Sequence, residues 1–448
     1  MAIRNVGGGP PPRVTASNAA EPATPAKAET TSASEAPAGS KTSASGFTPS
    51  GAKATKSTLA LPLSTAPMDP ARAMAGARGV AVANQLARLW RRLPGEKRIP
   101  KRVRDTLLGE LPSAPWDADQ HLSEDDVADY LSKQNKQAHT QELHAGMSGA
   151  QVFDVTGDAE QSGIFKLFGD PEEMLLDIAG LEVIASVGNT VLNAVGVKQV
   201  GKNRDGSKGF VLMEKAGGEV LFDRMDQVAA ATMAERVKLQ ATLCAELASA
   251  GKAMGGFHQA AQSSVAVPTE YKRLAALRTY GLFDAARSQA ATGSLADAAL
   301  QSKIEARLRG LTREFMQTRL QATIAIGDIH PGNMAVQGGK CTVFDVSTLV
   351  ASLGSRGEGL APSADDRTWF AETIPWYGGK IGLEAAEVAA AKKSFLEAYQ
   401  GACTFATGAD DAIATTFYQV RSAMTDLRFA PNSQKDLNLV LRLLDLTP

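Results

Sequence analysis

Three oxygen-bearing side chains in the string IAIGDIHPGNMAVQGGKCTVFDVSTL, residues 324–349, have the types and spacing to handle a phosphoryl group. Asp328 and Asn333 lie five apart on a loop forced by Pro331-Gly332. Met334 to Val336, the turn Gln337-Gly338-Gly339-Lys340 and Cys341 to Val346 read as a β-hairpin, with Asp345 on its second arm. A hairpin folds that arm back beside the first, which brings Asp345 close to Asn333. Taken singly, Asp and Asn are default turn residues; it is their joint spacing around a hairpin that carries meaning. Transfer of a phosphoryl group from ATP needs a carboxylate to orient the acceptor hydroxyl and take its proton, and oxygen ligands for Mg²⁺ at the phosphates. Asp328 suits the first task, Asn333 and Asp345 the second.

The string resembles the catalytic loop and metal-binding segment of the protein-kinase-like superfamily. It is most similar to the aminoglycoside and choline phosphotransferase branch, where Gly-Asp with Asn five residues on recurs and His-Pro-Gly often stands between. The resemblance implies a bilobal α+β fold, with a small β-rich lobe before a larger helical one, ATP and Mg²⁺ as cofactors, and an alcohol group as acceptor. Upstream residues supply the other half of such a site. The turn Gly146-Met147-Ser148-Gly149 would bring backbone amides and the Ser148 hydroxyl to phosphates. Lys166, ending the apolar run GIFKLF, would reach the α and β phosphates from a strand. Its expected partner is Glu182, on a predicted helix; Glu172 and Glu173 follow Pro171 at the helix start, where the helix dipole already explains them. GFVLMEKAGG, residues 209–218, resembles the strand and hinge between lobes, which implies that Met213 lines an adenine pocket and that the backbone of Glu214 and Ala216 bonds the adenine edge.

This chain also departs from the regulated protein kinases. Asp345-Val346-Ser347 stands where they have Asp-Phe-Gly, Gly327 precedes the base where many have Arg, His330 replaces a lysine common two residues past the base, and no Ala-Pro-Glu follows. Control by activation-loop phosphorylation is not expected.

The elements that must hold these residues are legible in outline. Two β-like runs flank the turn residues 157–163, a helical pattern follows in PEEMLLDIAGLEVIASVG, and strand patterns recur in VGVKQV and KGFVLMEKAGG. Beyond Gly218 the chain reads as mostly helical, with Met233, Val237, Cys244, Leu247, Met254 and Phe257 spaced as one buried face. We expect a kinase-like N-terminal lobe over 139–216 and a C-terminal lobe over 217–448. Residues 71–138 read as a helical, partly basic extension in which Ser123 caps a helix with Asp126 at its third position. Residues 1–70, rich in Ala, Ser, Thr, Pro and Gly, cannot bury enough surface to offset ordering entropy and read as a disordered leader.

Composition narrows the remaining classes. Lys and Arg number 47 against 48 Asp and Glu, so net charge gives no reason to expect a nucleic-acid partner. Local charge is another matter: the basic stretch at 91–104 is a solvated face or a contact for an acidic partner or an anionic membrane surface. Cys244, Cys341 and Cys403 are unpaired in spacing, and the 5 histidines form no metal motif. No apolar run nears the roughly 20 residues that span a bilayer, and MAIRNVGGGPPP lacks the apolar centre of a Sec signal. No GxxxxGK[ST] is present. A leader of this composition before a kinase-like domain resembles bacterial type III secreted effectors, which implies export from the bacterial cytoplasm and a protein acceptor in a host cell. The alternatives are a small-molecule kinase, a pseudokinase scaffold, for which intact Lys166, Asp328, Asn333 and Asp345 have no use, and a nucleotidyl transferase on the same fold.

Overall fold

The computed structural model describes residues 105–446, apart from 106–107, 110, 133–137, 144–149, 158–161, 188–191, 291–293 and 355–356. The leader 1–70, the basic segment 91–104 and the turn bearing Gly146, Ser148 and Gly149 lie outside the described residues.

Helix α1 (Glu124–Ser132) precedes β1 (His139–Leu143), β2 (Gln151–Thr156), β3 (Gly163–Phe168), helix α2 (Pro171–Ser186), β4 (Leu192–Ala194), β5 (Val197–Lys202) and β6 (Gly209–Met213). A five-stranded sheet runs β1-β2-β3-β6-β5 with every adjacent pair antiparallel. Its central strands are apolar at nearly every position because both faces are covered. Successive residues of β6 alternate sides: Val211 and Met213 join a core with Met174, Leu181 and Ile184 of α2, while Phe210 and Leu212 face Trp116, Val127, Tyr130 and Leu131. Residues 111–132 are therefore part of this lobe. Ala114 donates to Lys202 O at 2.7 Å and Lys202 to Pro112 O at 3.0 Å, extending the β5 edge. The boundary expected at 138 cuts through one packed unit.

The second lobe contains β7 (Glu219–Val220), α3 (Leu221–Ala230), α4 (Met233–Ala260), α5 (Thr269–Gln289), α6 (Ala298–Gln317), β8 (Ala322–Thr323), β9 (Met334–Gln337), β10 (Lys340–Val343), β11 (Ala361–Pro362), α7 (Ala364–Ile381), α8 (Ala385–Ala402), α9 (Gly408–Phe429) and α10 (Gln434–Leu443). The buried face of α4 is Leu243, Leu247, Ala250, Met254 and Phe257. Met233 and Val237, expected on that face, are 77% and 76% exposed, because the first turns of α4 run past the end of the core. Gly251 lets α8 come close: a Cβ there would lie 2.1 Å from Phe395 O.

A four-stranded sheet, β4-β10-β9-β7, closes the site from below. Its β9–β10 hairpin pairs Gln337 with Lys340, with Gly338 and Gly339 at φ 57° and 80°, the left-handed pair a two-residue turn of this hand requires. Among the described residues no helix is long and apolar enough to cross a membrane. The architecture is two-lobed α+β, as the sequence implied.

Candidate active site

The loop carrying Asp328 is held by groups remote in sequence. Gly327 has φ 97°, and a Cβ there would meet Thr348 Oγ1 at 2.6 Å. That hydroxyl accepts the Asp328 N–H at 2.9 Å and donates to Ile326 O at 2.8 Å. From below, the buried Asp366 carboxylate accepts the N–H groups of Ile326 at 2.6 Å and Gly327 at 2.7 Å, and His258 Nε2 meets it at 3.1 Å. A buried carboxylate so supplied with donors is a rigid anchor. The Asp328 side chain itself is exposed to the cleft, and its Oδ1 accepts the Trp369 indole N–H at 3.2 Å. Its second oxygen remains available for an acceptor hydroxyl.

Asn333 is buried, and its Nδ2 donates to Asp328 O at 3.0 Å, which leaves Oδ1 as the amide's lone-pair donor. The hairpin then does what its register requires: Phe344 N–H donates to Asn333 O at 3.2 Å, and Asp345 follows at once. Asp345 lies beyond the end of β10 rather than on the strand, with φ 58°. Left-handed backbone at a non-glycine residue costs about 1–2 kcal/mol, and here it aims the carboxylate at the other lobe.

There it meets Lys166, with Nζ to Oδ1 at 3.0 Å. The Lys166 side chain is only 8% exposed. Burial alone would lower its pKa, but the carboxylates of Asp177, Asp345 and Glu173 outweigh it and raise the value, so the ammonium stays charged. Asp177 is buried, and burial, partly offset by Lys166, pushes its pKa up to about 6. Its Oδ1 accepts the Val346 N–H at 2.6 Å. Gly180, one turn along α2, lets the same residue approach: a Cβ there would lie 2.5 Å from Val346 O. The predicted partner of Lys166 needs correction. Glu182 is not brought to the lysine; its pKa is raised by burial alone, and among the described residues the acids acting on Lys166 from α2 are Asp177 and Glu173. Five and nine residues separate those two positions from Glu182, and the helical period turns Glu182 off their shared i, i+4 face.

At the link between lobes Met213 is buried beneath the sheet. The Glu214 N–H donates to Gly196 O at 2.7 Å, whereas the Ala216 N–H makes no hydrogen bond within the described residues. A carbonyl and an N–H two residues apart form an acceptor and donor pair suited to a purine edge.

Among the described residues no group of three His, Cys, Asp or Glu side chains could cage a metal. Asn333 Oδ1 and the Asp345 carboxylate are hard oxygen donors, and two protein ligands suit Mg²⁺, which keeps waters and phosphate oxygens in its shell. The donor set fits that ion. Lys166, Asp328, Asn333 and Asp345 thus converge on one cleft. Sequence reasoning missed Asp177, Thr348, Asp366 and Trp369. Only Asp177, four residues past Glu173 on a predicted helix, was within reach of a periodicity argument.

No family model matches the chain, and no curated protein does. Solved structures similar to it include a glucosamine kinase in complex with glucosamine, ADP and inorganic phosphate, at 14% identity over 73% of this chain and 86% of that one, with TM-score 0.45. An aminoglycoside phosphotransferase in a ternary complex with ADP and hygromycin B is 12% identical over 71% of this chain and 98% of that one, TM-score 0.44. An amicoumacin kinase with AMP-PNP and Ca²⁺ is 14% identical over 68% and 86%, TM-score 0.40. A likeness of this extent carries no functional inference, and the function proposed for the chain rests on the residues of its own site.

Proposed function

We propose that the chain transfers the γ-phosphoryl group of Mg-ATP to a hydroxyl acceptor. The observation that carries this reading is the meeting of Lys166 and Asp345 at 3.0 Å, one from each lobe, above a loop that presents Asp328 and Asn333. A buried ammonium facing carboxylates is costly to assemble for structure alone, and it sits where a polyphosphate would need a cation. Asp328, exposed and held through one oxygen, takes the acceptor's proton through the other. Asn333 and Asp345 would hold Mg²⁺, which when bound neutralises charge on the phosphates. Lys166 is released from Asp345 to the α and β phosphates, with Asp177 and Glu173 keeping it oriented.

For the acceptor the reading we favour is a protein hydroxyl in a host cell, after type III delivery of the chain; its support is the composition of residues 1–70. The test is transfer of labelled γ-phosphate by the wild-type chain and by Asp345→Asn, with host-cell lysate and a panel of hydroxylated amines offered as acceptors. Asn tolerates the left-handed backbone but removes the charge. Label on protein bands from wild type alone supports a protein kinase. Label on a small molecule moves the assignment to a metabolite or antibiotic kinase, and equal transfer by both chains would sink the phosphotransferase reading.

A further inference from the structure

Residues 121–124 fasten both arms of the β1–β2 hairpin to the segment that precedes it. The Gln151 side chain, buried at the start of β2, makes a two-point clasp on Leu122: its Oε1 accepts the Leu122 N–H at 3.0 Å and its Nε2 donates to Leu122 O at 3.0 Å. The same Nε2 lies 3.1 Å from His121 Nε2 and 3.5 Å from Glu142 Oε1 on β1. On the other arm the Glu142 N–H donates to Glu124 Oε1 at 2.8 Å, and the Thr140 hydroxyl donates to Glu124 O at 2.5 Å. Ser123 Oγ accepts the Asp126 N–H at 3.2 Å, a cap that fixes Glu124 as the first residue of α1 and sets it against β1.

The hairpin has few other holds. Among the described residues β1 pairs with β2 alone, so it is a sheet edge, and the hairpin joins the sheet through the β2–β3 ladder. In that ladder Val152 stands opposite Lys166, and paired residues of antiparallel strands point to the same face. Gln151, Phe153 and Val155 therefore turn to the cap. Val152, half-buried, turns with Lys166 to the face that meets Asp345 of the second lobe. A buried amide that pairs both backbone groups of one residue is costly to displace, so the clasp fixes how the hairpin lies over that face.

Building on the phosphotransferase reading, we propose that Gln151 and Glu124 are positioning residues that hold the β1–β2 hairpin against a bound nucleotide. The segment ahead of the sheet thereby sets nucleotide affinity without touching the ligand. Its reach is short: Gln151 is the chain neighbour of Val152, and Leu143, next to Glu142, stands opposite Val152 in the register. A hairpin already ordered in the free protein loses less freedom when a ligand arrives, which favours affinity. Released from the clasp, this edge hairpin can twist about the β2–β3 ladder and carry Val152 off the nucleotide, while Asp328, Asn333 and Asp345 stay in place on the other lobe.

The test is calorimetric binding of Mg-ADP to the full chain, at a temperature well below the melting point of every variant. Gln151→Met keeps the length of the side chain and removes the clasp; it is expected to weaken Mg-ADP about 10-fold. Glu124→Ala is expected to weaken it about 5-fold, and Glu124→Gln, which keeps an oxygen for the Glu142 N–H, to restore it to within about 2-fold of wild type. Arg204→Ala is the control for general loosening. Arg204 holds the same segment at its β5 end, through Asp117 at 3.1 Å and Pro115 O at 2.9 Å, and touches neither arm of the hairpin. It should lower the melting temperature and leave Mg-ADP affinity within about 2-fold. Equal weakening by Arg204→Ala and Gln151→Met, or no rescue by Glu124→Gln, would overturn the assignment. If Gln151→Met does not fold, the two Glu124 variants decide the question. A wild-type chain that binds no Mg-ADP overturns the phosphotransferase reading and the inference with it, while wild-type binding with unchanged affinity in the variants overturns the inference alone.

Discussion

The carboxylate of Asp177 accepts the Val346 N–H at 2.6 Å, so helix α2 grips the residue next to Asp345 as well as setting the field around Lys166. One acidic side chain thereby couples a helix of the first lobe to the segment of the second that carries Asp345. The pair to compare is Asp177→Asn and Glu182→Gln. The first keeps an oxygen for Val346 but removes a charge facing Lys166, and steady-state turnover is expected to fall about 10-fold, the effect of roughly 1.4 kcal/mol. The second touches no charged partner and should leave turnover within about 2-fold. The reverse ranking would return Glu182 to the lysine.

Gly180→Ala tests the contact itself. An added methyl would lie 2.5 Å from Val346 O, a backbone atom that moves only with Asp345. Overpacking of this kind costs typically 1–3 kcal/mol. The expected result is a lowered melting temperature together with a loss of turnover larger than that of Gly310→Ala, a helical glycine with nothing within 4 Å of its added Cβ. Equal behaviour of the two variants would mean that α2 and the Val346 segment do not need their close approach.

Trp369→Phe keeps an aromatic ring and removes the N–H held by Asp328 Oδ1 at 3.2 Å. Freed to rotate, the carboxylate spends less time aimed at the acceptor, and kcat is expected to drop by about 3- to 10-fold with KM for Mg-ATP unchanged. A rise in KM for ATP at constant kcat would instead make Trp369 part of the nucleotide site.

Asp426 provides a pH test of the fold. Burial, with Asp436 and Glu372 nearby, pushes its pKa up to about 6, above the ordinary aspartate value of 3.8. Between those values the folded state holds the proton more tightly than the unfolded state, so the stability this group supplies at low pH is lost as pH rises through about 6. Asp426→Asn should raise the melting temperature at pH 8 by about 1–3 °C and change it little at pH 4. An effect of the same size at both pH values would contradict the shift.

The string 324–349 was legible because its parts are local: a turn forced by Pro331-Gly332, a hairpin set by Gly338-Gly339, and residues counted along one strand of text. The Ser123 cap was legible for the same reason, and the structure has Asp126 N–H bonded to Ser123 Oγ at 3.2 Å and Asp126 Oδ2 accepting the Ser123 N–H at 2.9 Å. What escaped were contacts between residues far apart in the chain. Asp366 reaches back 40 residues to Ile326 and Asp177 reaches forward 169 to Val346. Nothing in the composition of a helix distinguishes the acid that anchors a loop from one that faces solvent. The sequence reading weighs Glu182 only against Glu172 and Glu173, because a glutamate is the expected partner, whereas the register of α2 against β3 decides which acids face the lysine. That register is set by packing.

The cap made by residues 111–132 sets where the first lobe can be cut. Trp116 sits 5.8 Å from Phe165, 5.4 Å from Phe210 and 4.7 Å from Tyr130, centroid to centroid. A fragment begun at His139, at the first strand of the sheet, would bare Phe165 and Phe210 and unpair the outer edge of β5. Such a fragment is a template for strand-to-strand aggregation, and the shortest fragment that stays dispersed is expected to begin before Pro112. Phe165 is the immediate neighbour of Lys166, so the same ring cluster that keeps the fragment dispersed also keeps the strand beneath the lysine from yielding.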